Sequence, residues 1–375
     1  MVEQRHAEIA GGGFAGLVAA IALAQRGWTV RVHEKSDELR AYGAGIFIWE
    51  NGLRVLKAIG AYDDVIAGSH EAKIYEVRDR GNVVDRTEFS AERNDRMLTM
   101  TRQTLYSAII AVAEAEGIEI VLNSEVTGAT PEGELITSAG RRYRADLVVG
   151  ADGVRSNVRD SLDLRKDSNV ARLGLVRILA PRCLDELGPG PWDNVIDFYN
   201  LPVRSLRILY VPCNADELYL AMMAPADDPE ATAIPLRHDI WVPAFPDLEP
   251  AIRRASEDGR YDPYETGKLT NWSVGRVAVV GDSAHAMVPS LGQGAGFAMM
   301  NALALAVAVD GAPSIEEALA AWEARERPMT EYTQDCSAEV ALSRLDKGGR
   351  MWTEESIRPA RCVPTGTEHL PRLLD

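Results

Sequence analysis

The sequence predicts an α/β protein in which a parallel sheet is interrupted by a second sheet and followed by a helical C-terminal segment. Three stretches carry that expectation. Ala7-Glu8-Ile9-Ala10 runs straight into Gly11-Gly12-Gly13-Phe14-Ala15-Gly16 and then an Ala-rich helical stretch, the opening of a βαβ unit. Residues 276–280 form a short β-branched apolar run, followed by Gly281-Asp282, then Gly292-Gln293-Gly294-Ala295-Gly296 and an almost wholly apolar run to Val309. That second pattern reads as strand, acid, glycines and buried helix. Between the two, residues 172–224 alternate like consecutive strands, so the second sheet is an insertion.

Each element can be justified in order. Gly11 permits the tight turn, Gly13 lets backbone approach a pyrophosphate, and Gly16 lets helix and strand pack closely. The helix N-terminus then faces the phosphates. Gly27 stops the helix, Trp28 to His33 is the next strand, and Glu34 follows, eighteen residues past Gly16, where an acid accepts hydrogen bonds from a ribose. Residues 39–46 are a small-residue loop with one cation, Arg40, and Asn51 is expected to cap a helix that ends at Gly60. Residues 72–89 read as two strands about Gly81-Asn82, and Arg102 opens a helix that Gly117 stops. Short strands at 118–122 and 135–137 precede the buried strand that ends at Gly150 and delivers Asp152-Gly153. Strands are expected at 173–180, 194–200, 206–212 and 217–224, a long helix from Ser314 to Leu345 with a break near Pro328, and an irregular Pro-rich tail.

The bulk numbers narrow the function. At 375 residues the chain is long enough for two domains. A net charge of -16 argues against nucleic acid or an anionic membrane as partner. Cys183, Cys213, Cys336 and Cys362 are far apart, with no metal-ligand spacing, so no metal is expected and reduced thiols in a cytoplasmic protein are. No run reaches the roughly 18 apolar residues of a membrane span.

Gly11-x-Gly13-x-x-Gly16, Asp152-Gly153 and Gly281-Asp282, in that order, resemble the single-component FAD-dependent aromatic hydroxylases, whose type is p-hydroxybenzoate hydroxylase, over essentially the whole chain. Segments 10–16, 42–46, 51–56 and 217–220 look most like the 2-methyl-3-hydroxypyridine-5-carboxylate and 5-pyridoxate oxygenases within that family, which hydroxylate and open a hydroxypyridine ring. The resemblance implies a Rossmann-type FAD-binding domain (1–71, 100–170, 270–310), an inserted sheet-floored substrate domain (72–99, 171–269) and a C-terminal helix and tail (311–375). It implies non-covalent FAD held by Gly11, Gly13, Ala15, Gly16, Glu34, Lys35, Arg40, Arg102, Asp152, Asp282, Pro289, Gly292, Gly294 and Ala295. Arg207, Tyr219, Tyr75 and Phe47 would face the substrate, with Arg207 clamping a carboxylate or phenolate; Phe47 stands where the ring-opening enzymes lead one to expect a tyrosine. His285 is not expected to be a base, and Arg159 is expected on a solvated helix face.

The implied activity is insertion of oxygen from O2 into a small hydroxylated aromatic or heteroaromatic acid through a flavin C4a-hydroperoxide, with NAD(P)H as visiting reductant and no protein catalytic residue assigned. Opening of a 3-hydroxypyridine carboxylate ring and simple hydroxylation of a phenol or natural product both fit. A non-catalytic relative of the GDP-dissociation-inhibitor kind is the alternative from another class, and the flavin motifs at Asp152 and Asp282 argue against it. The oligomeric state is open, a homo-oligomer included.

Overall fold

The computed structural model describes residues 4–39, 44–200, 204–347 and 352–373, the side chains of 343–347 apart. Its six-stranded sheet runs in the order Ser273–Val274, Val277–Val279, Leu147–Gly150, His6–Ala10, Thr29–His33, Glu119–Val121. All pairings are parallel except the first. The first βαβ crossover is the helix Phe14–Ala24, buried along almost its whole length. It packs against Gly294–Val309, the apolar helix read from the sequence, and both are surrounded because neither has a polar face to leave in water.

The second sheet has seven strands, ordered Arg260–Leu269, Arg165–Pro181, Glu217–Pro225, Leu206–Pro212, Val195–Asn200, Ile74–Asp79, Asn82–Glu88. Its period of two divides the side chains cleanly. Ile178, Ile196, Ile208 and Leu220 face a core closed by the helices His238–Ala244 and Glu249–Arg253, with Trp241 at its centre. Tyr75, Val195, Leu209, Tyr219 and Ala221 face the other way, toward the glycine-rich loops of the first sheet. That second face is the floor of the site.

Three expectations are corrected here. Asn51 does not cap its helix: Glu50–Ile59 starts one residue earlier, and the fully buried Asn51 amide instead donates to Gln293 Oε1 (3.0 Å) and the Pro359 carbonyl (3.1 Å). Nor does Pro328 break the long helix, which runs continuously over Ile315–Lys347. Proline removes one ladder bond there, but the adjacent Arg327 pairs with Glu323 and Glu331 and donates to the Leu269 and Thr270 carbonyls, which ties the flanking turns down. The tail, expected to be irregular, contains a short helix, Glu354–Ile357, opened by a capping box at Thr353. Arg54 binds that tail further along, at the carbonyls of Thr367 (2.7 Å) and Leu370 (3.0 Å). Among the described residues no helix is long and apolar enough to cross a membrane.

Candidate functional site

The glycine turn is built by close approach. A Cβ on Gly11, whose φ is +99°, would lie 2.4 Å from the Ala151 carbonyl oxygen, and one on Gly16 would lie 1.9 Å from that of Gly11. Gly13 has nothing within 4 Å of that position, so its backbone is open to the groove. Glu34 ends the second strand with its carboxylate folded onto the turn, accepting the N–H of Gly12 (2.9 Å) and of Ser36 (2.9 Å). Lys35 lines the same groove. Arg40 lies outside the described residues.

Asp152 also lines the groove, but both its oxygens are engaged. It accepts the N–H groups of Asn157 (2.8 Å) and Val158 (3.1 Å) and the hydroxyls of Ser156 (2.5 Å) and Ser283 (3.2 Å), so it holds the start of the next helix. Arg159 corrects an expectation. It is buried, not solvated, because its guanidinium reaches back to the carbonyls of Val154 (3.0 Å) and Ser283 (3.3 Å) and pairs with Asp160.

Groove and sheet floor meet in a cavity of about 310 Å³. Gly13, Arg102, Arg177, Tyr264, Asp282 and Pro289 line both spaces and form the junction between them. Ala15, Gly292, Gly294 and Ala295 line the cavity from the loops above; Tyr75, Arg207, Leu209, Tyr219, Ala221, Phe47 and Trp352 complete the inner end. The strand register explains the floor: Arg177 lies opposite Ala221, and Arg207 opposite Tyr199 and Met223, all on the cavity face.

The junction carries charge that the protein does not fully use. The Arg102 guanidinium lies over the Phe14 ring at 4.9 Å, and burial, with Arg177 nearby, brings its pKa down to about 10 against the pull of Asp282. Its Nε is buried with no hydrogen-bond partner, and so is that of Arg177. Arg177 Nε does lie 3.2 Å from Asp262 Oδ2, an ion pair without hydrogen-bond alignment. Burial lowers the Arg177 pKa, but Tyr219, Asp262 and Tyr264 outweigh it and hold the group above its ordinary value. The side chain of Asp282 is exposed into the cavity and the groove, amid dense protein, so desolvation raises its carboxyl while Arg102 and Arg177 oppose that. Tyr219 is pushed up by burial in the same way.

The inner end is the opposite case. Asp197 is fully buried and takes the Arg207 guanidinium bidentately, Oδ1 from Nε at 2.5 Å and Oδ2 from Nη2 at 2.9 Å. The hydroxyls of Tyr75 (2.7 Å) and Tyr199 (3.1 Å) also donate to Oδ2. Arg207 and Tyr75 both line the cavity wall, but the fork is already closed on a carboxylate from the neighbouring strand. Tyr219 packs into the space left by Gly45, where a Cβ would lie 2.4 Å from its ring. Phe47 lines the cavity with no hydroxyl to offer.

His285 is buried, its pKa brought down to about 4 by desolvation, with Nε2 3.1 Å from the Asn301 amide. It is neutral packing against the Trp272 ring, three residues along from Asp282. Arg177, Asp197 and Trp352 escape the sequence reading, and Tyr264 figures in it only as an unplaced, polar-tipped aromatic. A signal for Arg177 is present in the sequence: it is the one cation in the apolar stretch 173–180, and a buried cation is costly without a partner.

The open glycine turn, the unpartnered arginine Nε atoms and a carboxylate facing the cavity fit a dinucleotide with a polyol arm and a flat ring system, as FAD has. No cysteine lines either space, and His285 does not point into them, so these residues suit non-covalent binding. Among the described residues no group of three His, Cys, Asp or Glu side chains could hold a metal.

A family model described as FAD binding domain matches residues 5–312. A Mycobacteroides abscessus 2-heptyl-3-hydroxy-4(1H)-quinolone synthase is 39% identical over 340 residues, 90% of each chain. A Rhodococcus erythropolis protein with the same name, provisionally given, is 42% identical over 377 residues, 96% of this chain and 97% of its own. The solved tetrameric form of 2-methyl-3-hydroxypyridine-5-carboxylic acid oxygenase superposes with a TM-score of 0.92 at 48% identity, over 96% of this chain and 97% of that one.

Proposed function

The chain belongs to the FAD binding domain family and is an FAD-dependent monooxygenase of an aromatic substrate, and from that premise we propose that it uses NAD(P)H and O2 to oxygenate an electron-rich heteroaromatic ring of the hydroxypyridine or quinolone class. The observation that carries the proposal is the junction: Arg102, Arg177 and Asp282, with incompletely used hydrogen-bonding capacity, open onto an aromatic-lined floor.

In this reading Gly11, Gly13, Ala15 and Gly16 pass the pyrophosphate, Glu34 and Lys35 meet the adenosine ribose, and Asp282 takes hydroxyls of the ribityl chain. Pro289, Gly292, Gly294 and Ala295 border the ring system, where the start of Gly294–Val309 favours partial negative charge. Asp152 acts through the helix start it holds. Bound FAD supplies electron storage and activation of O2. The chain supplies positive charge beside it through Arg102 and Arg177, and a floor that fixes the substrate ring and keeps water out. Tyr219 and Tyr264 border the ring, and no side chain is needed as acid or base.

The carboxylate expected on the substrate is not part of this proposal, because Arg207 already holds Asp197. Oxygenation with the ring kept is the first reading; ring opening is the second, favoured by the 48% identity to the hydroxypyridine-carboxylate oxygenase. Mass spectrometry of the products formed under labelled O2, from a panel of hydroxypyridines and 2-alkyl-4-quinolones, tests both. A cyclic product carrying one labelled oxygen is expected, and an acyclic one establishes ring opening. If no ring of either class accelerates NAD(P)H oxidation or gains label, the proposal fails.

A further inference from the structure

Asp197 stands two residues along the strand Val195–Asn200 from Tyr199, the residue paired with Arg207, so its carboxylate shares the cavity face and reaches back to the guanidinium. The cluster is complete in itself. Both carboxylate oxygens accept from Arg207, and Oδ2 accepts the two tyrosine hydroxyls besides. Asp197 has no solvent exposure and Arg207 5%, so the pair is neutral and dry. Nη1 of Arg207 makes no hydrogen bond among the described residues, although the residue lines the cavity.

A guanidinium edge matches a carboxylate in shape. Here the Nε–Nη2 edge is occupied. A ligand carboxylate meeting Nη1 would be a second anion on one cation, close to Asp197 in a poorly polarisable setting, and the like-charge repulsion would oppose binding. A neutral acceptor, such as a ring carbonyl or hydroxyl, meets Nη1 without that repulsion. Leu175, Leu209, Ala221 and Trp352 beside it are apolar and solvate no added charge, and the other arginines lining the cavity, Arg102 and Arg177, belong to the junction.

We infer that Asp197 is the specificity-determining residue of this cavity: by occupying Arg207 it makes the inner end a site for an uncharged heteroaromatic ring with a carbonyl or hydroxyl acceptor, and it excludes ring carboxylates. The inference rests on the reading that an aromatic substrate binds in this cavity.

A matched ligand pair tests it on the FAD-loaded protein, by calorimetry and by perturbation of the flavin absorbance: 3-hydroxypyridine and 3-hydroxypyridine-5-carboxylate. The unmodified protein is expected to bind the uncharged ring at least tenfold more tightly. Asp197→Asn, which keeps the shape and frees the charge of Arg207, is expected to reverse that preference by at least tenfold. The double variant Asp197→Asn with Arg207→Gln, neutral by another route, is expected to return it. Equal or tighter binding of the carboxylate by the unmodified protein overturns the inference, whether or not the variants fold. So does an unchanged ratio in folded, flavin-loaded Asp197→Asn. Binding of both rings without discrimination sinks only this inference, whereas binding of neither in any form sinks the aromatic-cavity reading along with it.

Discussion

At the junction end of the cavity Arg102 and Arg177 keep buried Nε atoms without hydrogen-bond partners; at the inner end, on the same sheet face as Arg177, Arg207 has a bidentate carboxylate and two tyrosines around it. The residue type is the same and the use is opposite. Buried cations with unfilled donors are unfavourable until something anionic or strongly polar arrives, which suits a place for a charged cofactor. A cation closed on its own counter-ion attracts nothing strongly, and the counter-ion repels the wrong charge. Recognition at one end is by unmet demand, and at the other by demand already met.

The largest expected effect tests whether the inner end is closed in this sense. Asp197→Ala leaves Arg207 buried and unpaired, and should lower unfolding free energy by about 3–5 kcal/mol. Urea titration of the flavin-loaded protein measures it, and a loss below about 1 kcal/mol would mean water reaches the arginine and the two ends are alike.

Next comes the footing of the junction. The His285 pKa of about 4 lies below the roughly 6.5 of an unfolded histidine. Between those values the unfolded chain binds more protons, so stability present above pH 6.5 falls as the pH drops toward 4, by up to about 3 kcal/mol. Thermal melts across that window should show the slope, and His285→Gln should flatten it. An identical slope in the variant would place the titration elsewhere.

Asp282→Ala removes the only carboxylate among the described residues that groove and cavity share, and FAD should then bind more weakly by about 1.5–3 kcal/mol. Equilibrium dialysis of released flavin decides that. Tyr75→Phe is the gentlest probe, deleting one of the hydroxyls on Asp197 while the arginine stays, for about 1 kcal/mol of stability and no change in flavin affinity. A loss of flavin instead would show that the two ends are coupled.

Much of this arrangement is legible in the sequence. Strand, glycine turn and helix at both flavin motifs follow from local chemistry, since a tight turn and a close crossing leave glycine no substitute. The strands of the second sheet were visible in their period of two. What was not visible was pairing across strands. That Asp197 meets Arg207 depends on the register of Val195–Asn200 against Leu206–Pro212, which no single strand encodes. Arg159 misled for a related reason: its helix is only five residues long, and the side chain turns inward to carbonyls that the helix pattern cannot reveal. Trp352 comes from the tail, where periodicity says nothing, and yet its ring meets those of Trp49, Tyr75 and Phe89.

Gly45 has a bearing on how this enzyme could be re-engineered. Because a Cβ there would stand 2.4 Å from the Tyr219 ring, every other amino acid at position 45 would push that tyrosine out of the floor. In a saturation library the position would have an alphabet of one letter for any variant that keeps the tyrosine seated. Leu175, Leu209 and Ala221, which share that sheet face and line the cavity, are where a directed search for new ring sizes would find room to move.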